Sequence, residues 1–257
     1  MSRDVVTTDA FVLRTVDYGE SHVIVTLLAR DLGKVSAIAR SARRSKRRFG
    51  GSLLPLRGLR ATLSFRPNRD LAELDDALVA RDFAGIEGSF EKIMVASYAT
   101  ELVRAHLRDG DPANDALELL EDFYGRLSDC DDGRAMLRTV LHHFELGLLR
   151  SAGAAPSLGA CARCGMRVES MDRVRCSRDG DGLVCQDCVR PGERWGVIDE
   201  RTLAALAYIE RPHGRPPDAV ADDEVAAQVR RVLDASLQRI VDSELRSRAM
   251  LDEVLRG

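Results

Sequence analysis

Aromatic residues are scarce: one Trp, four Tyr and seven Phe in 257 residues, with only eight prolines. A chain so poor in proline is not a collagen-like or proline-rich polymer, and 45% hydrophobic with 31% charged residues excludes an obviously disordered chain. No apolar run is long enough for a conventional membrane helix. Asp4 and Asp9 precede the first apolar run, unlike the start of a secretion signal. Six cysteines are few for a disulfide scaffold, and five of them fall between Cys161 and Cys188. A cytoplasmic protein with no membrane partner is expected.

Acid is also missing from one long interval. Between Asp31 and Asp70 no Asp or Glu occurs. The interval holds 11 basic residues: Lys34, Arg40, Arg43, Arg44, Lys46, Arg47, Arg48, Arg57, Arg60, Arg66 and Arg69. Residues 1–80 carry 14 Lys/Arg against 9 Asp/Glu, a balance of +5, while 81–257 carry 24 against 32, a balance of −8. The overall charge of −3 hides this asymmetry. A local positive field of this kind suits a phosphate backbone. The run Arg43-Arg44-Ser45-Lys46-Arg47-Arg48 ends in Phe49-Gly50-Gly51, where the glycines permit a turn. Phe49 has two readings, stacking on an exposed base or packing into the core.

The surrounding pattern is short apolar strands: Ala10 to Arg14, Val23 to Leu28, Val35 to Ala39, Leu59 to Phe65 and Leu71 to Val79, punctuated by Gly19 and Asp31-Leu32-Gly33. Five strands in about eighty residues suit a small curled barrel. From about Phe83 the period becomes helical. Phe90, Ile93, Met94, Tyr98, Leu102 and Ala105 make one face, and Asp111-Pro112 caps a second helix carrying Leu117, Leu120, Phe123, Tyr124 and Leu127. Met136, Val140, His143, Phe144 and Gly147 make a third. Asp199 caps a helix reaching about Ile209, followed by a break at Arg211-Pro212-His213-Gly214. Val225, Val229, Leu233, Leu237, Ile240, Val241 and Leu245 define a last helical face, with Arg230, Arg231, Arg239, Arg246 and Arg248 on its exposed side.

Between helical patterns stand Cys161-x-x-Cys164 and Cys185-x-x-Cys188, twenty residues apart. Two tight knuckles of this spacing bring four thiolates to one Zn²⁺. A filled tetrahedral shell leaves no position for a reactive water, so the expected role is structural. Disulfides or free buried thiols are the alternative. Cys176 is a fifth thiol in the module, and its isolation favours the paired set. Arg173, Arg175 and Arg178 lie among Asp172, Asp179, Asp181 and Asp187, which oppose their field. Gly50-Gly51 lacks the Gly-Lys-Ser/Thr continuation of a nucleotide-hydrolysing loop. Asp75-Asp76 and Asp131-Asp132 make no two-metal pair, and His142 and His143 have no identifiable nucleophile or orienting acid. The chain is read as a binding protein, not an enzyme, with a zinc-supported protein adaptor as the alternative and a nuclease as a weaker one.

Phe11-Val12-Leu13-Arg14, Tyr18-Gly19-Glu20-Ser21, Leu32-Gly33-Lys34, the Arg43–Arg48 run, Pro55-Leu56, the helical middle, Cys161-x-x-Cys164-Gly165 and Cys185-x-x-Cys188 occur here in one order. Together they resemble the bacterial RecO family of recombination mediators, over nearly the whole chain. The resemblance implies an α+β multidomain protein: an N-terminal five-stranded OB barrel over 1–80, a helical domain over 81–157 and 193–257, and a four-cysteine zinc insertion over 158–192. It implies binding of single- and double-stranded DNA, strand annealing, and a nucleoid-associated place in DNA repair by homologous recombination. The partners implied are RecR, sometimes RecF, RecA, and the acidic, apolar C-terminal tail of single-stranded DNA-binding protein. It points to Lys34 and the Arg40–Arg48 segment near the DNA path. Arg43, Arg44, Lys46, Arg47 and Arg48 are expected to form the annealing surface, with Arg57 and Arg60 nearby.

Overall fold

A computed structural model of the chain describes residues 4–67, 71–177, 179–190, 196–211 and 216–255, and the Lys46 side chain lies outside that description. Arg69, Arg178 and the break at 212–214 also fall outside the described residues. The chain divides into two compact units, Met1–Asp129 and Cys130–Gly257.

The first unit is built on a closed barrel of β1 (Asp4–Tyr18), β2 (His22–Ala29), β3 (Gly33–Ala39), β4 (Gly58–Phe65) and β5 (Ala72–Arg81). The strand order is β1-β2-β3-β5-β4, closed by β4 on β1, as expected for an OB barrel. β3 and β5 meet in parallel through Ala37↔Ala72 and Ile38↔Glu73; the other pairs are antiparallel. β1 is longer than its sequence pattern indicated because it serves two neighbours. Asp4 to Phe11 pairs with β4, and Ala10 to Tyr18 pairs with β2. A bulge between Val12 and Arg14 interrupts the pairing with β2 and breaks the alternation.

Inside the barrel, Val12, Val25, Leu27, Leu63 and Leu74 interdigitate with small residues such as Ala37, Ala61 and Ala77. Phe49, on the single-turn α1 (Lys46–Phe49), closes this core. After α2 (Ala84–Glu87), α3 (Phe90–His106) and α4 (Asn114–Asp129) pack outside the barrel. Phe11 reaches them, its ring 5.5 Å from Tyr124 in an edge-on contact and 6.2 Å from Phe83. α4 begins at Asn114, not at Asp111-Pro112. That stretch instead ties down the β2–β3 hairpin: Gly110 N–H donates to Lys34 O (3.0 Å), and Asn114 exchanges hydrogen bonds with Asp31 at 2.7 and 2.8 Å.

The second unit holds α5 (Arg134–Ser151), a cysteine module with the antiparallel strands β6 (Val174–Cys176), β7 (Leu183–Cys185) and β8 (Gly196–Ile198), then α6 (Glu200–Glu210), α7 (Asp223–Leu237) and α8 (Arg248–Leu255). The first unit thus contains α2, α3 and α4, and the second α5 to α8. Asp199 caps α6 as read from the sequence, accepting the Thr202 N–H at 2.7 Å. The face from Val225 to Leu245 is not one helix. After Leu237 the amides of Arg239 and Ile240 bond back only three residues, to Ser236 and Leu237, and the helix tightens and stops. Nor does Arg230 lie on an exposed side. Its guanidinium is 2.7 Å from the fully buried Glu145, which also contacts His142 Nδ1 at 2.9 Å.

Candidate nucleic-acid interface and metal centre

The basic segment is a folded structure rather than a loose loop. Ser41 adopts a left-handed backbone (φ 54°), and its N–H donates to His22 Nδ1 at 2.9 Å. Its carbonyl accepts the amides of Arg44 and Ser45 (3.0 Å each). Arg43 N–H donates to Ser21 O in the β1–β2 turn, which Gly19 makes with φ 60°. Arg48 braces the turn from within: Nη2 donates to Arg40 O (2.8 Å), Nε to Ser45 Oγ (3.2 Å), and the guanidinium carbon sits 4.9 Å from the Phe49 ring centroid. Phe49 is 4% exposed, so of its two readings the core one holds.

The bracing leaves other cations outward. Arg43 is 3.6 Å from Asp17 and Arg44 3.9 Å from Glu20, all four exposed. Such solvent-facing pairs are weak and exchange readily for a phosphate. Arg47 is exposed, with no ion pair among the described residues. Arg40 (3.0 Å) and Arg66 (3.6 Å) share Glu73 at the start of β5. Arg66 therefore joins Arg40, and the run from Arg40 carries Arg43, Arg44 and Arg47; only this register makes Arg66 part of the group.

Three named residues stand elsewhere. Lys34 lies six residues before Arg40 on β3, roughly 20 Å along the strand. Its ammonium is already used within the fold, donating to the Arg104 carbonyl (3.2 Å) and the Leu107 carbonyl at the end of α3, and pairing with Asp109 at 3.1 Å. Arg60 pairs with Asp9 (2.8 Å), whose carbonyl accepts the Arg30 amide beside the β2–β3 hairpin. Arg57 is mostly buried and holds Glu87 of α2 at 2.9 Å. These three are not gathered with the Arg40–Arg48 segment.

In the second unit the sulfurs of Cys161, Cys164, Cys185 and Cys188 all lie within 4.8 Å of one another, and Cys164 and Cys185 are 3.8 Å apart. A tetrahedral ion with metal–sulfur bonds of about 2.3 Å has edges of roughly 3.8 Å. The first knuckle turns at Gly165 (φ 75°), whose amide bonds to Cys161 O at 2.9 Å. The second is the short helical turn Gln186–Cys188 after β7, held by Arg163 Nη1 donating to Cys188 O at 2.6 Å. Burial would raise the Cys161 thiol, but amide donors from Cys185, Cys164 and Arg163 bring it down to about 6, whereas burial raises Cys185 and the neighbouring sulfurs of Cys185 and Cys164 push Cys188 up to about 12. Among the described residues only Val184, Met171 and Val189 pack on this centre apart from the cysteines, little apolar material to hold the module by itself. Cys176 is outside the cluster. It is buried on β6, and burial pushes its thiol up to about 11.

Among the described residues no helix is long and apolar enough to cross a membrane. Residues 1–83 match the family model for the recombination protein O N terminal, and residues 87–249 match the one for its C terminal. A DNA repair protein RecO from Anaeromyxobacter sp. (strain Fw109-5) is 40% identical over 246 residues, covering 95% of this chain and 94% of that protein. The RecO of Rhodopirellula baltica is 34% identical, covering 83% and 78%, and that of Myxococcus xanthus 32% identical, covering 93% of each. With both halves matched, and with the barrel, the helices and the cysteine cluster in the expected order, the chain belongs to the RecO family of DNA repair proteins.

Proposed function

We propose that the protein is a non-enzymatic recombination mediator. It binds single- and double-stranded DNA, anneals complementary strands, and with RecR, and sometimes RecF, helps RecA replace single-stranded DNA-binding protein. One observation carries this reading: Arg40, Arg43, Arg44, Arg47 and Arg66 group around a braced turn beside the β1–β2 hairpin; Arg43 and Arg44 have only loose, exposed acidic partners, Arg47 has no ion pair among the described residues, and Arg40 and Arg66 share the one half-buried carboxylate of Glu73. Annealing brings two polyanions together, and a fixed cationic surface lowers their repulsion while leaving base edges open. No bond to the protein is made or broken.

Zn²⁺ is the ion we assign to the four cysteines. Four thiolate donors at tetrahedral spacing fit it, and their role is to fasten the module. For the acidic, apolar tail of single-stranded DNA-binding protein, the second unit offers a cleft of about 470 Å³. Arg138, Arg230 and Arg248 line it together with their carboxylate partners Asp223, Asp234 and Asp252, the exposed Arg231 adds a further cation, and Ala226, Leu251 and Leu255 give its apolar wall. A protein acting on DNA in this way resides in the cytoplasm with the nucleoid.

The test is a reconstitution with RecR, RecA and DNA covered by single-stranded DNA-binding protein, with metal analysis of the same preparation. Faster RecA loading and strand annealing, both lost when the Arg43–Arg47 cations are neutralised, support the mediator. A folded, zinc-loaded protein that does neither is an adaptor and ends this reading.

A further inference from the structure

We propose that the outer face of β1, β2 and β3 is a base-stacking platform for single-stranded DNA, with Tyr18 as its stacking residue. This rests on the DNA-binding reading above and deepens it. The registers Tyr18↔His22, Val16↔Ile24 and Arg14↔Thr26 continue across β2 into Ile24↔Ile38 and Thr26↔Ser36. Val23, Val25 and Leu27 of β2 point into the barrel core, so the alternating set lies on the outside. That outer face carries an apolar row, Val16–Ile24–Ile38, with Tyr18 and His22 beside it at the hairpin.

Tyr98 and Tyr124 are fully buried, whereas Tyr18 is 54% and Val16 42% exposed. Tyr18 and Val16 stand in water on this strand face, with the half-buried Ile24 and Ile38 beside them. The charges around them say what this face would hold. Arg14 lies on the same face, exposed and without an ion pair among the described residues. On the other side Arg43 and Arg44 reach Asp17 and Glu20, the acids flanking the Tyr18-Gly19 turn. A ring between Arg14 on one side and Arg43 and Arg44 on the other matches a strand whose phosphates carry charge and whose bases are free to stack. A duplex hides its base faces inside the helix and gains nothing from Tyr18. The face is also held in place: the Ser41 amide fixes His22, and the basic segment is bonded to Ser21.

The experiment compares the intact full-length protein with Tyr18→Ala, Tyr18→Phe and a separate Arg43/Arg44/Arg47→Gln variant. The probes are an oligothymidylate, its duplex with oligoadenylate, and an oligonucleotide carrying 2-aminopurine. Tyr18→Ala should lower single-strand affinity at least about five-fold, leave the salt slope unchanged, and barely alter duplex affinity. Quenching of 2-aminopurine should fall with it, and Tyr18→Phe should keep both. Because the ring is half exposed, Tyr18→Ala should unfold at nearly the parent temperature. Parent-like single-strand affinity and quenching in folded Tyr18→Ala, with binding still lost in the arginine variant, overturn the platform and leave the DNA-binding reading intact. If the parent protein does not bind the oligonucleotides at low salt, both fall.

Discussion

Replacing Arg43, Arg44 and Arg47 with Gln removes three outward cations and leaves the internal brace of Arg48 untouched. Each phosphate contact contributes about 0.7 to the log–log salt slope on a single strand and about 0.9 on a duplex. Three contacts amount to a slope change of about 2 for single-stranded and nearly 3 for double-stranded DNA. At about 0.1 M salt a slope change of 2 means roughly 100-fold weaker binding than the parent, shrinking to nothing as salt approaches about 1 M. The pairs to Asp17 and Glu20 lower this only slightly, because exposed pairs of this kind are worth about 0–1 kcal/mol. Fluorescence anisotropy titrations across a salt series read the slope directly. Lys34→Gln is the control. Its ammonium serves the end of α3, so the slope should stay and the melting temperature should drop. A folded triple variant with the parent slope refutes the assignment of these arginines.

Phe49→Ala empties part of the barrel core and should cost about 3–5 kcal/mol in a urea titration; unchanged stability with weakened DNA binding would reverse its role. Arg230→Met leaves the fully buried Glu145 without its countercharge and should cost about 3–5 kcal/mol, part of it recovered by adding Glu145→Gln, as thermal melts of the two variants can establish. Stability should also fall with acid in two stages. Burial, opposed by Glu145, holds His142 below the usual imidazole range. The unfolded chain therefore takes up that proton first, and stability declines as pH drops below about 6.5. His142→Gln should flatten that limb, and a limb that persists in the variant refutes the attribution. Burial would raise Asp234, but Arg248 and Arg230 outweigh it and hold the carboxyl at about 2. Its contribution is present above the ordinary carboxylate range and disappears only as pH falls through about 2.

What could be read from the chain alone was whatever is local. β-branched alternation and Asp31-Leu32-Gly33 mark β2 and β3 because a strand and its turn are short-range objects. The four clustered cysteines were legible for the same reason, since each pair sits within one knuckle. β1 was only partly legible. Phe11 is buried against Tyr124 and Phe83 outside the barrel while Val12 is buried inside it, and with Leu13 also buried the period of two is hidden. Among the basic residues, charge was visible but its disposition was not. Arg230 and Glu145 are 85 positions apart, and Arg40 and Glu73 are 33. Whether a cation is spent inside the fold or left outward depends on such distant partners. Tyr18 gave no signal beyond its place in a motif, because exposure of a strand face emerges only once the barrel closes.

Arg47, facing solvent, and Phe49, plugging the barrel, occupy one helical turn. Consecutive helical positions differ by about 100° in direction, so charge and plug are locked in phase. One residue inserted between them would rotate the phenyl ring toward water or drive a guanidinium at the barrel mouth. The segment therefore tolerates changes of side chain far better than changes of length. Engineering its grip on DNA has to proceed by exchanging residues in place, never by lengthening or trimming the turn.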